Sequence, residues 1–465
     1  MFAARSRPDV LGTIVICAAS LTLGGCLGDQ AGTSVAPSGN DAGGTATDGG
    51  GTSSGGTSSD GGAATGDAAS ASKDAGPANN CPKPTGQRPS RRSEQSGAFD
   101  PISGKLVMFG GSFAVPVNCG FPASTFETET WIYDTKCDSW RLHKGKTPPA
   151  RARSAGVYRS KGPNPMLIVT GGRYRPGKSG SYTLRDDLWG YDFGNEAWIE
   201  LAQTKKRPAA RANASIAYDS TNDALLLFGG NTSKSGLQIS AQQDTWLFDF
   251  ENSAWKQLAA AQPPKRRLWA GTLYDPKRKR MVIFGGGDAT AFANTAKYMD
   301  DLWALSTDGT HATWKRIDMG SNTRPDGRFW ADLAYDAKND RYIMFGGHDD
   351  KSLGNRNDLW AFTPKDGQWI VIKQGDLPNK PANGFCSFPP DFTKLEDGSP
   401  ERRYAGIFAA GPNTIWLAAG KTDCGVIDDL FKLDLNGYKW TEVTSSTVGN
   451  SCIRKGGLTC NDYCF

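Results

Sequence analysis

Three histidines in 465 residues are too few for a site built on clustered imidazoles. Beyond the N-terminal segment no run approaches the roughly 18 apolar residues of a membrane span. There is no basic block and no nucleic-acid motif, so nucleic acid is not an expected partner. A nucleophile elbow, a zinc motif and a Gly-rich phosphate loop are missing as well. What remains, with 22% charged and 10% aromatic residues, has the composition of a soluble globular chain.

The net charge of +5 hides a split: residues 1–26 carry +1, residues 27–80 carry −5 and residues 81–465 carry +9. Such an excess favours an anionic partner. Residues 1–26 read as an export signal, with Arg5 and Arg7 ahead of an apolar stretch and small residues before Cys26. The run Leu23, Gly24, Gly25, Cys26 resembles the lipobox of bacterial lipoproteins, which implies cleavage before Cys26 and its acylation. The expectation is an exported lipoprotein held at the outer membrane or cell surface. Residues 27–80 are nearly all Gly, Ala, Ser, Thr, Asp and Asn, without an aromatic, so this linker is expected to be disordered. A chain of that length spans about 40 Å.

The rest is repetitive. Apolar strands end in a glycine pair whose first members are Gly110, Gly171, Gly229, Gly285 and Gly346, with Ala419 in the sixth unit. Each pair is followed by an acidic-X-aromatic strand such as ETWIYD or DLWGYD, and then by a closing Trp at 140, 198, 255, 314, 369 or 440. Eleven of the 14 Trp occupy these two slots, so most Trp are structural. Four short strands per unit, with an Asp-initiated turn after the first (Asp100, Asp219, Asp275, Asp336), describe a propeller blade.

These residues resemble the kelch repeat over residues 88–444. The resemblance implies an all-β fold, a six-bladed kelch β-propeller of four-stranded antiparallel blades, spanning residues 81–448 with a Cys-rich tail at 449–465. It implies a monomer without cofactor or metal. It also places the chain in the propeller superfamily of the copper-radical sugar oxidases, but the Cys–Tyr cross-link and His ligands of that chemistry have no counterpart here.

Eight cysteines follow Cys26, and export favours four disulfides. Repeat symmetry pairs Cys81 with Cys119 and Cys386 with Cys424. It leaves Cys137 to one of Cys452, Cys460 and Cys464, strapping the tail across the ring seam.

Counting back 18 residues from the first glycine gives Arg92, Arg153, Arg211, Arg267 and Arg328, with Arg403 the counterpart in blade 6. In kelch proteins such arginines open the innermost strand near the channel mouth, where neighbouring side chains line ligand sites. The competing reading makes them framework residues tying blades together through backbone carbonyls. The next two positions vary: Ser93 and Glu94, Ser154 and Ala155, Ala212 and Asn213, Leu268 and Trp269, Phe329 and Trp330, Tyr404 and Ala405. Blades 4 to 6 are aromatic there and blades 1 to 3 small or polar, an arrangement suited to sugar or peptide recognition. Simple plugging of the channel is the bland alternative. Ser112, Arg173, Asn231, His348, Asp349 and Lys421, just after the diglycines, join the same face. The loop 376–400, with Phe385, Phe388 and Phe392, is the longest connection.

The expected function is a surface-tethered module that binds a protein or glycan partner, an anionic one by charge, without turnover. One alternative is a carbohydrate-active enzyme of the sialic acid mutarotase kind, with Glu94 as acid/base and Arg153 or Arg173 as carboxylate anchor. The other is a structural envelope lipoprotein.

Overall fold

The computed structural model describes residues 81, 83, 85–113, 126–177, 180–235, 238–290, 298–320, 323–349, 354–375, 398–422 and 425–447. The described residues form strands and turns with no helix among them, so none of their helices is long and apolar enough to cross a membrane.

Six antiparallel sheets follow one another along the chain, each in sequence order from the channel outward. Blade 1 shows the plan: Ser96–Asp100, Lys105–Phe109, Thr130–Asp134 and Ser139–Leu142. Each blade supplies its own four strands. Blade 4 gains a fifth on its outer edge, where Ala259–Ala261 runs parallel to His311–Arg316. In blade 6 the innermost position is split into Arg403–Tyr404 and Ile407–Ala410. The fold is an all-β six-bladed propeller.

Second strands read as continuous apolar runs because both of their faces are covered. Leu106 and Met108 pack with Trp416 and Leu430 of blade 6, while Val107 and Phe109 pack with Leu167, Val169 and Trp198 of blade 2. The same alternation fills every gap between blades. Asp100, Asp219, Asp275 and Asp336 each accept backbone N–H bonds inside the first turn, as the sequence predicts.

The ring closes without strand exchange. Blade 6 meets blade 1 through Gly420 N–H to Arg92 C=O at 3.0 Å and Arg92 N–H to Ile427 C=O at 3.2 Å. Asp428 gathers both ends of the propeller: Arg88 reaches its carboxylate at 3.2 Å, and Thr447 donates to it through N–H and hydroxyl, each at 2.9 Å.

One disulfide corrects the expected pairing. Cys81 is bonded to Cys137, with Cα atoms 5.4 Å apart. It is therefore not joined to Cys119, and Cys137 is not left for a tail cysteine. Repeat symmetry puts Cys81 beside the diglycine loop at one end of the blade. The chain instead lies at the other end, against the turn between Thr130–Asp134 and Ser139–Leu142. Cys119, Cys386, Cys424, Cys452, Cys460 and Cys464 fall outside the described residues, as do Cys26, the linker and most of the loop 376–400.

Candidate functional site

Six arginines, one per blade, form the framework around the channel: Arg92, Arg151, Arg211, Arg267, Arg328 and Arg403, all buried. Each donates from Nη1 to the carbonyl of the first diglycine position of its own blade, at 2.8–3.2 Å. Each also pairs with the acidic residue that opens the third strand, at 2.5–2.6 Å. In blades 1 to 5 that carboxylate accepts a further bond from the Trp two residues on, at 2.7–3.0 Å. The next link is between blades: the second diglycine N–H donates to the carbonyl of the following blade's arginine, at 2.8–3.0 Å around all six junctions. Diglycine, arginine and acidic-X-Trp are thus one network, and it consumes these guanidinium groups.

That geometry corrects one assignment. The blade 2 hairpin is two residues longer than the others, so its framework arginine is Arg151, which reaches Gly171 across 20 residues. Arg92, Arg211, Arg267, Arg328 and Arg403 take the framework role, whereas Arg153 stands two positions further on. The variable pair of blade 2 is accordingly Ala152 and Arg153, not Ser154 and Ala155.

Two residues after each framework arginine, the six chains converge in an inner ring of Glu94, Arg153, Asn213, Trp269, Trp330 and Ala405. All six have positive φ, from 50° to 65°. Such left-handed residues cost about 1 kcal/mol each, so the surroundings must hold them. They do so through backbone bonds from blade to blade, among them Arg153 N–H to Glu94 C=O at 2.8 Å, Asn213 N–H to Arg153 C=O at 2.9 Å and Trp330 N–H to Trp269 C=O at 2.7 Å.

One half of the ring is polar and the other aromatic. Arg153 donates from Nε and Nη2 to the two oxygens of Glu94, both at 2.8 Å, and both side chains are largely buried. Its guanidinium lies 5.7 Å from the Trp269 ring and 5.4 Å from the Trp330 ring. Trp330 stacks on Tyr404 at 5.4 Å, and Phe329 stands behind them, 5.0 Å from Trp269. Two of the three tryptophans outside the repeat slots therefore form the aromatic wall, with Leu268 and Tyr298 beneath it. Trp269 is buried and serves as packing; Trp330 is half-buried and available.

Charge at the mouth is lopsided. Burial alone would push the Glu94 carboxyl up, but the Arg153 ion pair, helped by Arg173 and Lys421, brings it down to about 2. Arg173 is brought down to about 9, chiefly by burial and then by Arg153. Among the described residues it makes no ion pair, its Nε is buried without an acceptor, and it stacks on Tyr182 at 4.0 Å. Arg175 lies over the same ring at 4.6 Å, and the Lys421 ammonium is 5.7 Å from the Tyr404 ring. Among the described residues Glu94, already paired with Arg153, is the carboxylate that acts on Arg173.

Comparison with known proteins agrees with the architecture. Residues 163–388 match the KLHDC2/KLHL20/DRC7 Kelch-repeats domain. That stretch, just under half of the chain, is similar to a Kelch-repeat domain. It is 23% identical over 328 residues to Kelch domain-containing protein 10 of Xenopus tropicalis, covering 67% of this chain and 71% of that protein. It is 24% identical over 298 residues to the Leucine-zipper-like transcriptional regulator 1 homolog of Drosophila melanogaster, of which it spans 27%. The solved structure of YjhT superimposes with a TM-score of 0.53 at 14% identity over 76% of this chain and 98% of that one, a likeness of fold.

The remaining sequence-predicted residues of the Kelch mouth divide into neighbours and spacers. Ser112, Arg173, Asn231 and His348 each bridge to the residue after the framework arginine, and Lys421 pairs with Tyr404. Ser93 and Ser112 are buried in that bridge. Ser154 bonds Ser96 within the channel at 2.8 Å. Asn231 accepts from the N–H groups of Ser233 and Ser240, which shapes its own loop. His348 is bound to Asn355 and stacked on Phe329, and the backbone of Asp349 pairs with Gly354. Sequence reasoning passed over Arg175 and Tyr182; the signal was a basic and aromatic loop after the second diglycine. It also passed over Gln95, just ahead of the first strand of blade 1, and Asp332, which opens the first strand of blade 5.

Proposed function

We propose that this protein is a surface-tethered binding module that recognises a protein or glycan partner at the channel mouth without turning it over. Export, acylation at Cys26 and suspension on the 27–80 linker at the outer membrane or cell surface are part of the same reading, from the lipobox-like run and the linker composition. The observation that carries it is the mouth itself: among the described residues Arg173 and Lys421 make no ion pair, and the half-buried Trp330 lies on the same mouth. A desolvated guanidinium whose Nε lacks an acceptor favours an anionic group that supplies one. An aromatic face alongside gives a sugar or side chain an area to stack on.

The state of Glu94 supports binding over catalysis. A general acid or base works best with a pKa near the operating pH. Glu94 is held at about 2, with both oxygens bonded to Arg153, which suits a fixed structural charge. Kelch propellers generally mediate protein interactions, which supports a protein partner.

The test is binding of the oxidised protein to envelope glycan fragments and, by cross-linking on intact cells, to proteins, comparing wild type with Arg173→Gln and Trp330→Ala. A partner that loses affinity at least tenfold in either variant supports the reading. Equal binding by both variants, or conversion of the bound sugar, overturns it.

A further inference from the structure

After its diglycine, blade 2 forms a short ribbon in which Arg173–Tyr174 pairs with Thr183–Leu184. Arg173 bridges to Ala152, the neighbour of Arg153, so the ribbon starts at the inner ring. Its end is braced from both sides. The Tyr182 N–H donates to the Lys234 carbonyl in the blade 3 loop at 2.8 Å, and the Phe126 ring of blade 1 stands edge-on to Tyr174 at 5.7 Å and to Tyr182 at 6.2 Å. Two guanidinium groups rest on the ring so fixed, Arg173 at 4.0 Å and Arg175 at 4.6 Å.

Sharing one ring keeps the two guanidinium carbons no further apart than those two distances combined. A tetrahedral anion hydrogen-bonded on two sides spans roughly 8 Å between such carbons, so one anion can serve both. The charges do not cancel locally. Arg153 is spent on Glu94, and both Arg153 and Arg175 push the Arg173 guanidinium toward its neutral form. The acidic residues beyond Arg185, whose guanidinium lies 5.9 Å from the Tyr174 ring, are taken: Asp187 by Arg151 and Asp186 by Arg207. Among the described residues Arg173, Arg175 and Lys421 make no ion pair, and Arg173 and Lys421 both act on Glu94.

We propose that the partner at the mouth is a phosphorylated glycan whose phosphomonoester sits on the Arg173–Tyr182–Arg175 unit. The inference rests on the mouth reading and names the group recognised there. A phosphomonoester carries a charge of about −1.5 to −2 near neutral pH, whereas a sulfate ester or a carboxylate carries one. Three cations without counter-ions match the larger charge. Guanidinium groups held against a ring are ordered before the ligand arrives, so little freedom is lost on binding. A peptide would also need main-chain partners, and those of the inner ring are spent from blade to blade, as at Arg153 N–H to Glu94 C=O and Asn213 N–H to Arg153 C=O. A sugar needs a ring face, which the half-buried Trp330 offers.

The test is calorimetric titration of the oxidised full-length protein with glucose 6-phosphate, glucose 6-sulfate, glucuronate and phosphoserine. Glucose 6-phosphate is expected to bind at least about tenfold more tightly than the other three. Arg175→Gln should lower that affinity by about tenfold with the thermal midpoint unchanged, and Arg175→Lys, which keeps the charge without the fork, should fall between. Equal affinity for the sulfate or the glucuronate, tighter binding of phosphoserine, silence toward glucose 6-phosphate, or wild-type affinity in both Arg175 variants would each overturn the proposal. The two readings part at Arg175: an envelope partner lost in Arg173→Gln and Trp330→Ala but kept in Arg175→Gln removes the phosphate unit and leaves the mouth reading standing.

Discussion

Arg153 of blade 2 grips Glu94 of blade 1 through two parallel 2.8 Å hydrogen bonds in the inner ring, and both residues hold left-handed backbone to do so. The pair joins neighbouring blades through side chains where the backbone already joins them. Removing one partner leaves the other buried and uncompensated, which costs about 3–5 kcal/mol. Glu94→Gln should therefore lower stability markedly, measured by denaturant unfolding, and Glu94→Gln with Arg153→Met should recover part of the loss. The pH dependence has a definite sign. The folded value of about 2 lies below the ordinary 4.5, so this contribution is present above about pH 4.5 and disappears as pH falls through 2. An acid titration of the Gln variant should lack that component.

Asp332 gives the opposite sign. Burial raises its folded value to about 8, above the ordinary 3.8, so the fold favours the protonated acid. That contribution is complete below about pH 4 and is lost as pH rises to 8. The wild type should lose stability between about pH 4 and 8, and Asp332→Asn, neutral throughout, should be flatter over the same interval. Parallel curves for the two proteins would remove Asp332 as the cause.

The diglycine can be tested at its first position. A Cβ on Gly110 would sit 2.6 Å from the Arg151 carbonyl, and the backbone there has a φ of 70°. Gly110→Ala forces blades 1 and 2 apart and should cost about 2–3 kcal/mol. Blade 6 already carries Ala419 at the equivalent place, with a φ of 55°. Ala419→Gly should stabilise by up to about 1 kcal/mol by removing that strain. Thermal melts of the two single variants decide the matter; a harmless Gly110→Ala would show that the blade junction yields.

Why the fold was legible while the site was only partly so follows from what each depends on. Six copies of Gly-Gly, acidic-X-Trp and a closing Trp answer one packing problem repeated six times, and repetition makes the answer visible. The inner ring has no repeat to reveal it, because its side chains vary from blade to blade and only Trp269 and Trp330 are alike. The wall of Trp269, Trp330 and Tyr404 stood out because Trp is otherwise consumed by the framework. Arg153 was misplaced by a hairpin two residues longer, which a fixed count cannot register, although its neighbour Glu94 was identified. Asp332 and Gln95 gave no signal, since a lone polar residue at the start of an innermost strand reads equally as lining or as edge. Cys81 misled for a related reason: symmetry relates repeats, and residues before the first strand belong to none.

That disulfide also fixes where the linker would leave the propeller. Cys137 lies in the turn between the third and fourth strands of blade 1, at the end of the blade remote from Gly110 and hence from the mouth. Residue 81 is thus held at the end of blade 1 opposite Arg173 and Trp330. Cross-linking residues 56 positions apart restricts the unfolded chain, and such a bond contributes about 2–4 kcal/mol. Peptide mapping without reduction should recover Cys81 joined to Cys137, and Cys137→Ser should lower the thermal midpoint while leaving partner binding intact. A Cys81 peptide joined to Cys119 would restore the symmetric pairing and withdraw that placement with it.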